Sequence, residues 1–294
     1  MHQLRSVTLT DQEFLSGQAP GRPVTITGEL RLPTASTDRH PAVVLLHGSS
    51  GPSAREEGWA RLLERKGAAT LRLNSFAGRG IASTIEDQAQ LGRLAMIVDA
   101  YRALELLASH PRIDPRRIAV MGFSRGGQAA LYSAMKRFRR MFLPIPRLEF
   151  AAHVVFYSPC NTRYRDDERV VDKPIRIFQG DADDFVAVGP TKAYVERLRR
   201  AGGDVQLTVY PGARHIFDSP AIATPLRLPR AQLFGRCALE EGPDGQILDS
   251  ETGQPFTYSN LCADRGATVG YNQAAHEKSV QAVEKILVRV LWGA

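Results

Sequence analysis

The chain has 294 residues, of which 43% are hydrophobic and 23% charged, and its formal net charge is +7. These values argue against bulk disorder or a fibrous repeat and leave room for a substantial buried core in one α/β unit. No apolar run approaches the roughly 20 residues that span a bilayer, and residues 1–21 are polar without the apolar centre of a secretory signal. A cytoplasmic location is the default expectation; a leader removed before residue 1 would make it periplasmic or secreted.

Residues 24–32 alternate apolar and polar, as a half-buried strand does, and end at Pro33. A polar turn is expected over residues 34–40. Residues 42–46 form a continuous apolar run, the pattern of a strand covered on both faces, and a Gly/Ser-rich loop follows to Pro52. Residues 56–66 predict a helix with Trp59, Leu62 and Leu63 on one side, and residues 69–73 a second short strand. A small-residue loop spans 74–83. Residues 87–109 carry one long helical periodicity, from Leu91 through Leu107.

A turn around Asp114-Pro115 leads into a third strand at 118–121, then a helix of small residues at 125–135. Short strands are expected at 152–156, 175–178 and 205–209, with a helix at 191–201, and a last helix runs from 273 to 291. Strands alternating with helices predict a mostly parallel sheet with helices on both faces, its ligands bound at the strand C-termini. The whole chain, 1–294, reads as one domain. Residues 219–271 break the rhythm, with five prolines and little periodicity, and read as a loop-rich insertion that walls the pocket.

The cations Lys136, Arg137, Arg139 and Arg140 read as a solvated helix end, because no nucleic-acid motif accompanies them. Cys160, Cys237 and Cys262 lack metal-ligand spacing. A disulfide between Cys237 and Cys262 and three free thiols are both compatible with the sequence.

Chemistry concentrates in three loops. Gly122-Phe123-Ser124-Arg125-Gly126-Gly127 follows a strand and precedes a helix, the context of a nucleophile elbow. A sharp turn there holds the Ser124 hydroxyl outward, beside helix N–H groups that favour developing negative charge. His47-Gly48-Ser49-Ser50-Gly51 can supply an oxyanion-hole amide, expected from Ser49, with Arg125 giving the second. His47 precedes the nucleophile, so it reads as a loop-orienting residue rather than the base. Gln179-Gly180-Asp181-Ala182-Asp183-Asp184 follows a strand and offers three carboxylates for the acid: Asp183 first, Asp184 in reserve, Asp181 last. His215, in Tyr210-Pro211-Gly212-Ala213-Arg214-His215, is the expected base by chain order, ahead of His276.

The elbow GFSRGG, the acid loop GDADDFV and the base loop YPGARHIF together resemble the dienelactone hydrolase family of α/β-hydrolases. The resemblance runs from about residue 24 to 291, omitting 219–271. It implies an α/β-hydrolase fold, and Ser124, Asp183 and His215 as a catalytic triad. The loop Asn74-Ser75-Phe76-Ala77-Gly78-Arg79-Gly80 is also similar to a family loop near the site. Phe76, Arg79, Tyr157 and Cys160 are therefore candidates to line the pocket.

Two departures matter. Enzymes acting on dienelactone carry a cysteine nucleophile and an acidic residue after the first histidine; here those positions hold Ser124 and Gly48. The resemblance accordingly implies a broader carboxylesterase, with a small-molecule ester as partner and no cofactor, metal, nucleic acid or membrane. Thioester or amide cleavage and acyl transfer would use the same machinery, and a non-catalytic ligand-binding relative is the reading from another class. The oligomeric state is left open.

Overall fold

The computed structural model describes residues 1–18, 20–33 and 39–293; most of the turn expected at 34–40 lies outside them. In chain order its first strands are β1 (His2–Thr8), β2 (Arg22–Arg31), β3 (His40–Leu46), β4 (Ala69–Asn74), β5 (Ile113–Phe123), β6 (His153–Phe156), β7 (Thr162–Arg163), β8 (Ile175–Gly180) and β9 (Val205–Tyr210). All but β7 form one eight-stranded sheet in the order β1-β2-β4-β3-β5-β6-β8-β9. β2 runs antiparallel to β1 and β4, and every later neighbour is parallel. This is the α/β-hydrolase arrangement that the resemblance implied.

The apolar run of β3 has a physical reason. Val43 and Leu45 enter one core with Trp59 and Leu63 of α2 (Ala54–Arg65) and Val283 of the last helix, α7 (Gln273–Leu287). Ala42, Val44 and Leu46 enter the other, with Ile97, Tyr101 and Leu104 of α3 (Ala95–Ser109). Alternate side chains point to opposite faces, so a strand sandwiched between helices needs apolar residues at every position.

The expected helix over 87–109 starts instead at Ala95, after a single 3-10 turn at Gln88–Gln90. The Arg125 guanidinium takes the carbonyls of Gln88 and Leu91 at 3.0 and 2.9 Å, and Asp11 accepts from the Leu94 amide. These contacts hold backbone groups that a continuous helix would bond internally. α4 (Arg125–Tyr132) is shorter than expected, and α5 (Lys136–Phe142) follows it as a separate helix. The cationic stretch is not merely a solvated helix end. Arg137 reaches Glu241 at 2.7 Å and the Leu15 carbonyl at 2.6 Å, and Arg139 donates to the Leu148 carbonyl.

Residues 219–271 are not structureless. β10 (Leu226–Leu233) pairs antiparallel with β13 (Asp264–Val269), and β11 (Leu239–Glu241) lies between β12 (Ile247–Asp249) and β7. A Cys237–Cys262 disulfide ties the stretch across 25 residues. The stretch starts at the base loop and its far end returns there: Val269 bridges His215, Gly270 N–H donates to the His215 carbonyl, and Asn272 N–H donates to that of Phe217.

His153 of β6 is buried, with Nδ1 2.8 Å from the Ala130 carbonyl. Burial pushes its pKa down from 6.5 to about 4. The unfolded chain takes up this proton as pH falls below about 6.5, and the folded chain does not until about 4. The folded state therefore loses stability as pH falls through that window. Thermal melts across it should show a falling midpoint in the wild type and a shallower fall in His153→Phe; equal slopes would remove His153 as the cause.

Candidate active site

Ser124 sits between β5 and α4 at φ 54°, ψ −114°, a strained conformation for a side-chain-bearing residue, costing roughly 1–3 kcal/mol. The turn is possible only because its neighbours lack β-carbons. One added at Gly122 would lie 2.0 Å from the Gly126 carbonyl, and one at Gly126 2.3 Å from the Leu46 carbonyl. In this conformation the Ser124 hydroxyl faces the base loop after β9.

The loops after β9 and β8 deliver an imidazole and a carboxylate. His215 Nε2 lies 3.0 Å from Ser124 Oγ, and His215 Nδ1 lies 2.8 Å from Asp183 Oδ2. All three residues are buried. Asp183 Oδ1 accepts from the amides of Phe185 and Val186 at 2.9 and 2.8 Å, and Oδ2 also accepts from Gln179 Nε2. Asp184 instead accepts from Thr268 N–H, and Asp181 from Gly212 N–H. Of the three adjacent carboxylates, only Asp183 meets the histidine.

Aromatic rings fix the imidazole. Phe185 stacks on it at 4.8 Å between centroids, and Tyr157 packs on it at 4.6 Å. The Tyr157 hydroxyl donates to Asp218 at 2.6 Å, and Trp59 Nε1 donates to the same carboxylate at 2.8 Å. Burial drives the Tyr157 phenol well above its ordinary pKa, so it remains a donor. Asp218 and Phe185 were not expected at the site from the sequence, and Trp59 was read only as part of a helix's apolar side; the nearness of Asp218 to His215 in the chain was the available signal.

His47 is fully enclosed, and burial lowers its pKa. Its Nδ1 faces the Gly48 carbonyl at 2.7 Å, and its Nε2 accepts from the Ser75 amide at 3.1 Å. Both nitrogens orient loops, and neither reaches Ser124. The Ser49 carbonyl accepts from Thr84 N–H, while its own amide and that of Arg125 make no backbone hydrogen bond in the described turns and loops. Both residues border the space in front of Ser124.

Phe76, Arg79, Tyr157 and Cys160 do not line the cavities described at Ser124. Phe76 packs edge-on against His47. Arg79 holds Asp99 with two nitrogens at 2.8 and 3.0 Å and the Val7 carbonyl at 2.9 Å, fastening β1 to the body of the protein. Tyr157 supports His215 from behind. Cys160 is buried, its thiol raised to about 11 by desolvation. All four come from loops close to the site, but loop proximity does not set side-chain direction.

Two cavities meet at Ser124. A wide one of about 330 Å³ is bordered by His215, Gly48 and Arg55 and by apolar residues of 219–269. A narrow one of about 20 Å³ lies on the Arg125 side, walled by Pro159, Val186 and Phe234.

The family model for dienelactone hydrolases matches residues 27–291. Among solved structures, a dienelactone hydrolase candidate from Klebsiella pneumoniae superposes with a TM-score of 0.63 at 13% identity, covering 98% of both chains. A dienelactone hydrolase-like promiscuous phosphotriesterase from metagenomic libraries gives 0.59 at 18% identity, again covering 98% of both. Esterase 2 of Thermogutta terrifontis, phosphorylated by paraoxon, gives 0.59 at 15% identity over 98% of this chain and 94% of its own. At such identities these likenesses speak to the fold.

Proposed function

The chain belongs to the dienelactone hydrolase family, and on that premise we propose that it is a carboxylic ester hydrolase working through an acyl-enzyme on Ser124. The observation that carries this reading is the hydrogen-bonded row Ser124–His215–Asp183, with links of 3.0 and 2.8 Å. As Oγ attacks the ester carbonyl, its proton passes to His215 Nε2. Asp183 holds the other imidazole nitrogen protonated and stabilises the imidazolium. The amides of Ser49 and Arg125 receive the carbonyl oxygen as it becomes an oxyanion, each contributing about 3 kcal/mol. His215 then protonates the departing alkoxide, and water repeats the sequence to release the acid.

The Thermogutta relative, phosphorylated by paraoxon, lends support by analogy, since an organophosphate reacts with an activated nucleophile as an ester does. In this reading residues 219–271 belong to the same domain as the sheet, because Phe234, Cys237, Leu239 and Ile247 join the main apolar core. The test is covalent labelling with a fluorophosphonate probe. One equivalent should attach, on the peptide containing Ser124, and Ser124→Ala should take none. Label on another residue, or no label on the folded wild type, would overturn the assignment.

A further inference from the structure

The two cavities at Ser124 differ more than tenfold in volume, about 330 against 20 Å³, and they differ in which catalytic groups they contain. His215 borders the wide cavity and not the narrow one. This decides the direction of the substrate. The group that leaves must depart next to the imidazole that protonates it, so the alcohol side of an ester lies in the wide cavity. With the carbonyl oxygen turned to the amides of Ser49 and Arg125, the acyl substituent has only the narrow cavity left.

That cavity holds about one methyl-sized group, since a single water already needs roughly 10–15 Å³ on the same measure. Its apolar walls are Pro159, Phe185, Val186 and Phe234. The guanidinium groups at its rim are held by the protein. Arg125 donates to the carbonyls of Gln88 and Leu91, while Arg93 bonds Asp11 and stacks on Phe234 at 5.3 Å. The wide cavity is lined chiefly by Ile85, Ile216, Ile222, Leu226, Leu228 and Val269, a surface suited to a bulky apolar alcohol or phenol.

Resting on the esterase reading, we propose that the preferred substrates are short-acyl esters, acetates above all, of large apolar alcohols or phenols. Val186 and Phe234 set the acyl limit, and Leu228 belongs to the alcohol site.

The experiment varies one half of the ester at a time. With p-nitrophenol fixed, kcat/KM should fall by about 100-fold or more from acetate to octanoate. With acetate fixed, and primary alcohols of similar basicity, it should rise by about tenfold or more from ethyl to hexyl and cyclohexylmethyl. Val186→Ala should raise the octanoate-to-acetate ratio by about tenfold. Phe234→Ala should raise it further, and thermal melts of both variants establish that they are folded. Leu228→Trp should lower the hexyl-to-ethyl acetate ratio without changing the acyl-length profile.

Equal or rising rates with acyl length, unmoved by Val186→Ala, would overturn the cavity assignment and leave the esterase reading standing. Failure of the folded wild type to hydrolyse any ester, with Ser124 still taking a fluorophosphonate, would overturn the esterase reading itself.

Discussion

Replacing Ser124 by Ala is expected to lower kcat for p-nitrophenyl acetate by about a million-fold, the scale seen when the nucleophile of a triad is deleted. The geometry concentrates the chemistry on one atom: Oγ is the hydroxyl that His215 Nε2 meets, at 3.0 Å. Without it, the oxyanion amides and the pocket still bind the ester. A residual acceleration of about 10³ over water should therefore remain, with no burst of p-nitrophenol. The variant should fold as well as the wild type. Alanine suffers no more than serine at φ 54°, and the glycines that permit the turn are untouched. Stopped-flow and steady-state assays, with a thermal melt as control, make the check. Activity within tenfold of wild type in a folded variant would exclude Ser124 as the nucleophile.

The second large effect belongs to Asp183→Asn, expected to reduce kcat by about 10⁴. Its direction follows from the acceptors that Asp183 provides. The amides of Phe185 and Val186 both donate to Oδ1, so the asparagine must keep its oxygen there. Its NH₂ group is thereby forced to the Oδ2 position, opposite His215 Nδ1. Nδ1 must then accept, the ring proton moves to Nε2, and the imidazole faces Ser124 as a donor, unable to take its proton. The new NH₂ also opposes the Gln179 amide, which donates to Oδ2 in the wild type. Asp184→Asn should change kcat by no more than about threefold, because that carboxylate serves the Thr268 amide on the surface. Equal losses in the two variants would mean the acid has been assigned wrongly.

The sheet and the three loops that bring Ser124, His215 and Asp183 together were legible because both are written in short, local patterns. Strands buried on two faces read as unbroken apolar runs, as in β3. The elbow, the acid loop and the base loop each follow such a strand. Other features depend on contacts between distant residues. β1 is an edge strand with a mostly polar sequence, and it is held by Arg79 and Asp99 rather than by its own pattern. The strands of 219–271 are brief, and they pair with partners as remote as Thr162. The expected long helix is interrupted by a contact from afar: the Arg125 guanidinium that holds the segment open comes from 33 residues beyond Gly92. Tyr157 packs on His215 instead of bordering the cavities, and nothing in the chain order shows that its hydroxyl reaches back to Asp218.

Because residues 219–271 leave and rejoin the body of the protein at the same place, the Val269 bridge and the Gly270 amide close the stretch on the His215 backbone. Between those ends it is also fastened to the body, by the β11–β7 pairing and by Phe234, Cys237, Leu239 and Ile247 in the main core. Variation at Ile222, Leu226 and Leu228, which border the wide cavity, can reshape that space while the imidazole keeps its mooring. Selectivity is thus tunable at a few positions near the start of the stretch, with its core-packed middle carried over unchanged.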